Sequence, residues 1–283
     1  MAALANDEHG AGKLRHIHDV ANGRFGDRLI GTPRRRGEAV VASAGSIVKS
    51  GQIKAWAYSR ARSLLGESTV DRILLARAYR RYEHAGIVFI HVPKCAGTSV
   101  SHALYGQSLG HRTAQELRSF SPDRFDRLYS FAVIRDPLER AHSAYIYLRR
   151  GGTKTGWAAP RPEYQEDSFS TFERFATEWL LGRDASDLDY VLQPQSRYVT
   201  DEHGKVIVDR LASLDSLPKV WPEIIAGRAV AGRELPVLNA QENKPPATVS
   251  SDAIKSLRQF YAEDVALWES IETNRLLSSG CSS

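Results

Sequence analysis

Apolar positions along the chain switch between two periods. Ile87-Val88-Phe89-Ile90 is a short, largely β-branched run, and Tyr129-Ser130-Phe131-Ala132-Val133-Ile134 is a second. Runs of this length, each ended by turn residues, predict buried strands. After each run the spacing becomes helical, over Ser99 to Tyr105 and over Leu138 to Arg150. Strand–helix–strand–helix predicts an α/β domain with a central parallel sheet and helices on both faces. Downstream, Phe172, Phe175, Trp179 and Leu180 form one stripe of a helix over 171–181. Val206 to Val208 suggests a short strand within 206–211, and 217–226 and 251–277 read as further helices. Upstream, Ile53, Trp56, Ala57, Ala61 and Leu64, and after Gly66 the set Val70, Ile73, Leu74 and Ala78, predict two amphipathic helices. Residues 1–50 show no period. The expected organisation is an N-terminal, partly helical extension over 1–82 and an α/β domain over 83–283. A long irregular stretch, 151–167, has the length of a lid or binding loop.

Chemistry sits at the ends of the two strands, where parallel sheets bind ligands. The first is followed by Pro93-Lys94-Cys95-Ala96-Gly97-Thr98-Ser99. A strand feeding a small-residue loop that opens a helix is a phosphate cradle: backbone N–H groups and the helix dipole face the anion, and a lysine adds a full charge. The nucleotide-triphosphate loop, G-x-x-x-x-G-K-[ST], ends on its lysine. Here Lys94 comes first and Thr98 and Ser99 close the loop. The second strand ends in Arg135-Asp136-Pro137, with Asp136 suited to an N-cap and Pro137 to the first helical position. Ser143 lies seven residues past Asp136, about two turns along the same helix face. Arg135 and Ser143 can converge on a second phosphate, which implies a ligand with two separated phosphates.

These segments resemble a known family. Pro93 to Ser99 is similar to the 5′-phosphosulfate loop of sulfotransferases that use 3′-phosphoadenosine 5′-phosphosulfate (PAPS). Arg135-Asp136-Pro137-Leu138-Glu139-Arg140-Ala141-His142-Ser143-Ala144-Tyr145 is similar to their 3′-phosphate motif. The wording resembles most the carbohydrate sulfotransferases, the Golgi-type group and its bacterial relatives. The resemblance spans Gly86 to Arg150 and continues more weakly through Gln193 to Tyr198, Leu235 to Asn239 and Tyr261 to Asp264. It implies a P-loop-like three-layer fold, a sulfotransferase catalytic domain over 83–283, PAPS as donor, no metal, and a hydroxyl-bearing acceptor, a carbohydrate. Golgi members are typically anchored by an N-terminal transmembrane helix. The want of an apolar run of ~18 residues, and of a signal peptide over Met1 to Gly10, points to a bacterial-type cytoplasmic enzyme or a truncated chain.

Sulfuryl transfer assigns roles. Lys94 can donate to the oxygen bridging sulfur and phosphorus as charge develops there. The N–H groups of Ala96 to Ser99 and the hydroxyls of Thr98 and Ser99 can hold the 5′-phosphate; Arg135 offers a planar fork to the 3′-phosphate. Among nine histidines, His111, in Gly110-His111-Arg112-Thr113-Ala114 between the motifs, is the candidate general base, with Glu116 and Glu166 as alternatives. At its ordinary pKa of ~6.5 such a base gives a rate rising with pH through that region. His91 reads as a packed core histidine. Cys95 is not needed as a nucleophile.

Composition narrows little further. The 38 basic and 33 acidic residues give a net charge of +5 and a pI near 9.2, which suits an anionic cofactor or polysaccharide. Arg72, Arg77, Arg80 and Arg81 decorate one predicted helix as a solvated face, or as a surface for peripheral membrane or polysaccharide contact. Cys95 and Cys281 are not expected to pair, which fits a reducing compartment. Two rival functions follow. Gly10-Ala11-Gly12-Lys13 suggests a nucleotide or small-molecule kinase, but Asp7 replaces the first glycine, Leu14 replaces the Ser/Thr, and no strand precedes it. The arginine clusters suggest a non-enzymatic polyanion binder, whose affinity would fall steeply with salt; nucleic acid is not the expected partner. No pattern specifies an oligomeric state.

Overall fold

The computed structural model describes residues 60–152, 161–237 and 249–280. The helix expected around Ile53 to Leu64, the Gly10–Lys13 segment and Cys281 lie wholly or largely outside them. The chain divides into two compact units, Met1–Leu74 and Leu75–Ser283, and the sheet belongs to the second.

The element order is α1 (Glu67–Ala85), β1 (Ile87–Ile90), α2 (Gly97–Tyr105), α3 (Ala114–Phe120), α4 (Pro122–Arg127), β2 (Tyr129–Ile134) and α5 (Pro137–Arg149). Next come α6 (Phe172–Arg174), α7 (Ser196–Val199), β3 (Arg210–Ser213), α8 (Leu217–Ile225), α9 (Ser251–Phe260) and α10 (Ala262–Gly280). The three strands form one sheet in the order β1-β2-β3. Both pairings are parallel, with Ile87 opposite Tyr129 and Phe131 opposite Arg210. This is the α/β architecture expected, with flanking helices. All four residues of β1 and the last five of β2 are buried, as continuous apolar strands of a covered parallel sheet require.

Side chains fix the sheet. The Tyr105 hydroxyl accepts from Phe89 N at 2.9 Å and donates to Ile87 O at 3.0 Å, so the end of α2 occupies backbone positions along β1. The Asp209 carboxylate accepts from Ser130 N at 2.7 Å and from the Ser130 hydroxyl at 2.8 Å. That clasp brings the chain beside β2 at residue 209, and pairing begins at Arg210. The strand expected within 206–211 is therefore displaced: Val206 makes only an isolated bridge to Thr200. Apolarity misled at Val206 to Val208 because Arg210-Leu211-Ala212-Ser213 is half polar, yet Ser213 is fully buried and bonded to Ser216.

Two helices also differ from expectation. The helix over 171–181 is one α-turn, Phe172–Arg174, that widens into a π-turn over Phe175–Trp179. The wider turn stacks Phe175 on both Phe172 and Trp179, with centroids 5.9 and 5.5 Å apart. The stripe is buried as read. The helix over 251–277 breaks at Tyr261, whose φ of −103° and ψ of 37° end α9. Its hydroxyl donates to Leu192 O at 2.8 Å. The apolar interior forms two clusters. One joins the sheet to α2, α3 and α8; the other joins α5 and α9 to aromatic residues from Tyr164 to Trp179.

Candidate active site

The loop after β1 is strained at two non-glycine residues. Lys94 has φ 68° and Ala96 has φ 57°, the left-handed region that costs a non-glycine residue ~1–2 kcal/mol. Such reversals turn successive N–H groups into one concavity. Ala96 is the N-cap of α2 and supplies no side-chain acceptor to its first turn, whose N–H groups have no partner within the helix. The helix starts at Gly97, two residues before the sequence pattern placed it. Gly97 cannot be any other residue in this packing: an added Cβ would lie 1.8 Å from His91 Cδ2.

Each predicted loop residue can be placed. Pro93 is buried, and its carbonyl accepts from Arg140 Nε at 3.2 Å. Lys94 is half-buried, with Nζ 4.4 Å from the centroid of the Tyr147 ring. Burial first, then the nearby Arg135 and Arg140, lower its pKa to about 8. Cys95 is fully buried; its thiol donates to Gln195 Oε1 at 3.3 Å, and burial pushes it up to about 12. It is a protonated packing residue at neutral pH, not a nucleophile. Thr98 is half-buried and Ser99 buried in the first turn of α2.

The second strand end is built differently. Asp136 caps α5, its Oδ1 accepting from Glu139 N at 2.9 Å, and Pro137 opens the helix, both as the sequence predicts. The Arg135 guanidinium pairs with Glu139 Oε2, with Nε and Nη2 each at 3.0 Å. Gln195 fixes the Arg135 backbone on both sides: it accepts from Arg135 N at 2.9 Å and donates to Arg135 O at 2.9 Å. Ser143 is buried on α5.

Sequence reasoning missed what holds the two strand ends together. Arg140, 1% exposed, donates to Pro93 O of the loop, to Val191 O at 3.2 Å and to Gln193 O at 2.5 Å. Its Nη1 is 3.9 Å from the buried Asp264 carboxylate. Asp264 accepts from Gln195 N at 2.8 Å and Ser196 N at 2.9 Å. The two weakly similar segments, Gln193 to Tyr198 and Tyr261 to Asp264, thus meet beneath the loop. Their similarity to the family pattern was the available signal.

His111 stands across from the loop. Its Nδ1 is 3.0 Å from His91 O. A carbonyl only accepts, so Nδ1 carries the hydrogen and Nε2 the lone pair. Burial first, then the charge of Lys94, push its pKa down to about 4, against the pull of the His91 carbonyl. Its pKa thus lies well below the ~6.5 of an ordinary imidazole. The rings of His91 and His111 lie 4.0 Å apart, and His91 is buried as expected. Both acidic alternatives already hold hydrogen-bond partners. Glu116 forms a capping box with Thr113, accepting from Thr113 N at 2.8 Å; Glu166 accepts from Arg183 at 3.0 Å.

The profile of the Sulfotransferase family matches residues 77–269, more than half of the chain. The chain belongs to the sulfotransferase family. No curated protein and no solved structure matches it significantly. The match covers the loop, α5, the Gln195–Asp264 clasp and all three strands. The chemistry of this sulfotransferase is sulfuryl transfer, which calls for a sulfuryl donor and a hydroxyl-bearing acceptor. Among the described residues no helix is long and apolar enough to cross a membrane, and no group of three His, Cys, Asp or Glu residues could hold a metal ion.

Proposed function

We propose that this sulfotransferase moves the sulfuryl group of PAPS to a carbohydrate hydroxyl by in-line displacement. What supports the donor is the pair of strand ends whose residues suit an anion, with Lys94 in the first loop and Arg135 of the second near it. The uncapped turn of α2 suits the 5′-phosphate, with Pro93 to Ser99 around it. Arg135, with Ser143 behind it, suits the 3′-phosphate. The motif wording supports a carbohydrate acceptor. His111 Nε2 takes the proton of the acceptor hydroxyl as its oxygen bonds to sulfur. The bond from sulfur to the bridging oxygen breaks, and Lys94 donates to that oxygen, so adenosine 3′,5′-bisphosphate leaves.

The test is thermal stabilisation by nucleotides. Adenosine 3′,5′-bisphosphate engages both strand ends, and at about 100 times its dissociation constant it adds ~2.7 kcal/mol of stability. Adenosine 5′-phosphate at the same concentration gives a much smaller shift, because nothing reaches Arg135. Equal shifts would rule out the two-phosphate reading.

A further inference from the structure

Two tyrosines contact the lysine and the histidine, and neither is given a phosphate-holding role above. Tyr147 lies on α5, is 8% exposed, and carries Lys94 Nζ over its ring at 4.4 Å. Tyr190 packs its ring against His111, with centroids 4.9 Å apart and planes inclined at 39°. The Tyr147 and Tyr190 phenols also form a side-chain hydrogen bond with each other. Tyr190 is itself held: the Tyr198 hydroxyl donates to its carbonyl at 2.8 Å. The preceding Asp189 accepts from Val191 N at 3.2 Å and Tyr164 Oη at 3.3 Å. An unbroken series of contacts therefore runs from Nζ through two rings to the imidazole.

We propose that Tyr147 and Tyr190 are a coupled pair of positioning residues that sets the spacing between Lys94 and His111. The proposal rests on the roles given to those two residues above. A lysine tip ends a flexible four-carbon stem and has no fixed direction of its own. A buried ring face gives it one, since an ammonium is drawn to the centre of an aromatic face. The imidazole already has its tautomer from the His91 carbonyl; Tyr190 fixes the plane in which Nε2 points. The hydroxyl contact makes the two placements interdependent, so a change beside one group is felt at the other.

That interdependence is measurable in the ligand-free, full-length protein by NMR titration of Lys94 Nζ and the His111 imidazole. Lys94 is faced by Arg135, Arg140, Cys95 and His111, and none of them changes in the variants. Tyr190→Leu opens space beside His111, not beside Lys94. It should nevertheless move the Lys94 titration downward by about half a pH unit, the size of a weakened cation–π contact. Tyr190→Phe keeps the ring and removes the hydroxyl contact; it should move Lys94 in the same direction by less and leave His111 in place. A lower melting temperature with an unmoved Lys94 titration in both variants would mean that the tyrosines only fill space, and the proposal falls. Adenosine 3′,5′-bisphosphate binding, measured on the same wild-type sample, separates the two ideas. Failure to bind removes the donor reading and leaves the coupling test standing.

Discussion

Two helices begin at the ends of neighbouring strands, and they begin in opposite ways. At α5, Asp136 accepts the Glu139 N–H and Pro137 takes the first position, so the chain satisfies its own helix start. At α2, Ala96 offers no side-chain cap and sits in the left-handed region, so the chain supplies no N-cap side chain to that helix start. An anion at α2 is held by backbone, whose geometry side-chain substitution barely alters. An anion at the end of β2 must be held by Arg135, a side chain that already has an acidic neighbour. The first site is rigid and strained; the second is adjustable. With PAPS as the proposed donor there is reason for both: the phosphate next to the reacting bond would need a fixed position, whereas the remote phosphate would need only recognition.

The largest effect expected from breaking this contrast is at Lys94. Lys94→Ala should lower turnover by ~10²–10³-fold, the usual cost of one preorganised donor to developing charge. Affinity for adenosine 3′,5′-bisphosphate should fall far less, because the backbone donors of α2 remain. Steady-state kinetics with product-inhibition constants measures both. Turnover close to wild type would remove Lys94 from the leaving-group role.

Gly97→Ala attacks the backbone half directly. The new Cβ meets three atoms of the His91 ring within 2.7 Å, and His91 has no room because its ring also lies against His111 and Phe89. Overpacking of this kind costs ~1–3 kcal/mol, readable by urea denaturation, and bisphosphate binding should weaken with it. His91→Ala in the same chain should restore the stability lost to the clash. If Gly97→Ala alone is neutral, the loop is more pliant than its dihedral angles indicate.

The same contrast explains what the sequence made legible. Strands β1 and β2, the cap at Asp136 and the loop from Pro93 to Ser99 were readable because each is local. Apolar runs, N-cap chemistry and small residues act over a few positions. Strand β3, the break at Tyr261 and the π-turn were not, because long-range partners decide them: Asp209 with Ser130, Tyr261 with Leu192, and Phe175 with Phe172 and Trp179. Arg140 illustrates the limit. Nothing in its neighbours announces that a guanidinium will be buried, and its acceptors come from residues 93, 191, 193 and 264. His111 was found as a candidate, but its pKa was misjudged, since burial between His91 and Tyr190 is a tertiary fact.

Proton linkage separates the lysine from the histidine by pH. Lys94 titrates near about 8 in the free protein, and an adjacent phosphate raises that value. Between the free and bound pKa values the complex holds more protons than the free protein, so bisphosphate affinity falls as pH rises above about 8. The slope is at most ~tenfold per pH unit, one proton's worth. His111 is neutral above about 4, so the acid limb of turnover should lie near that pH. Turnover should be flat from about 5 to 7. A limb near 6.5 that survives His111→Ala would assign the base elsewhere; one that vanishes with it would mean that donor binding restores an ordinary imidazole.

The smallest expected effect sharpens the contrast most. Glu139 competes with any phosphate for the Arg135 guanidinium, and the pair is partly exposed, at 14% and 36% for the two side chains. Such pairs are worth ~0–1 kcal/mol, so Glu139→Gln should tighten adenosine 3′,5′-bisphosphate binding by up to ~fivefold. The helix start is untouched, because the cap uses the residue's backbone N–H. Adenosine 5′-phosphate affinity should not change, since that ligand never meets Arg135. In an Arg135→Ala background the Glu139→Gln gain should disappear, leaving the two nucleotides nearly equal in affinity. A titration series over the four proteins therefore reads the adjustable site alone. If Glu139→Gln weakens the bisphosphate instead, Glu139 orients the guanidinium toward its ligand. The end of β2 would then be as preorganised as the loop of β1, with a carboxylate in place of backbone strain.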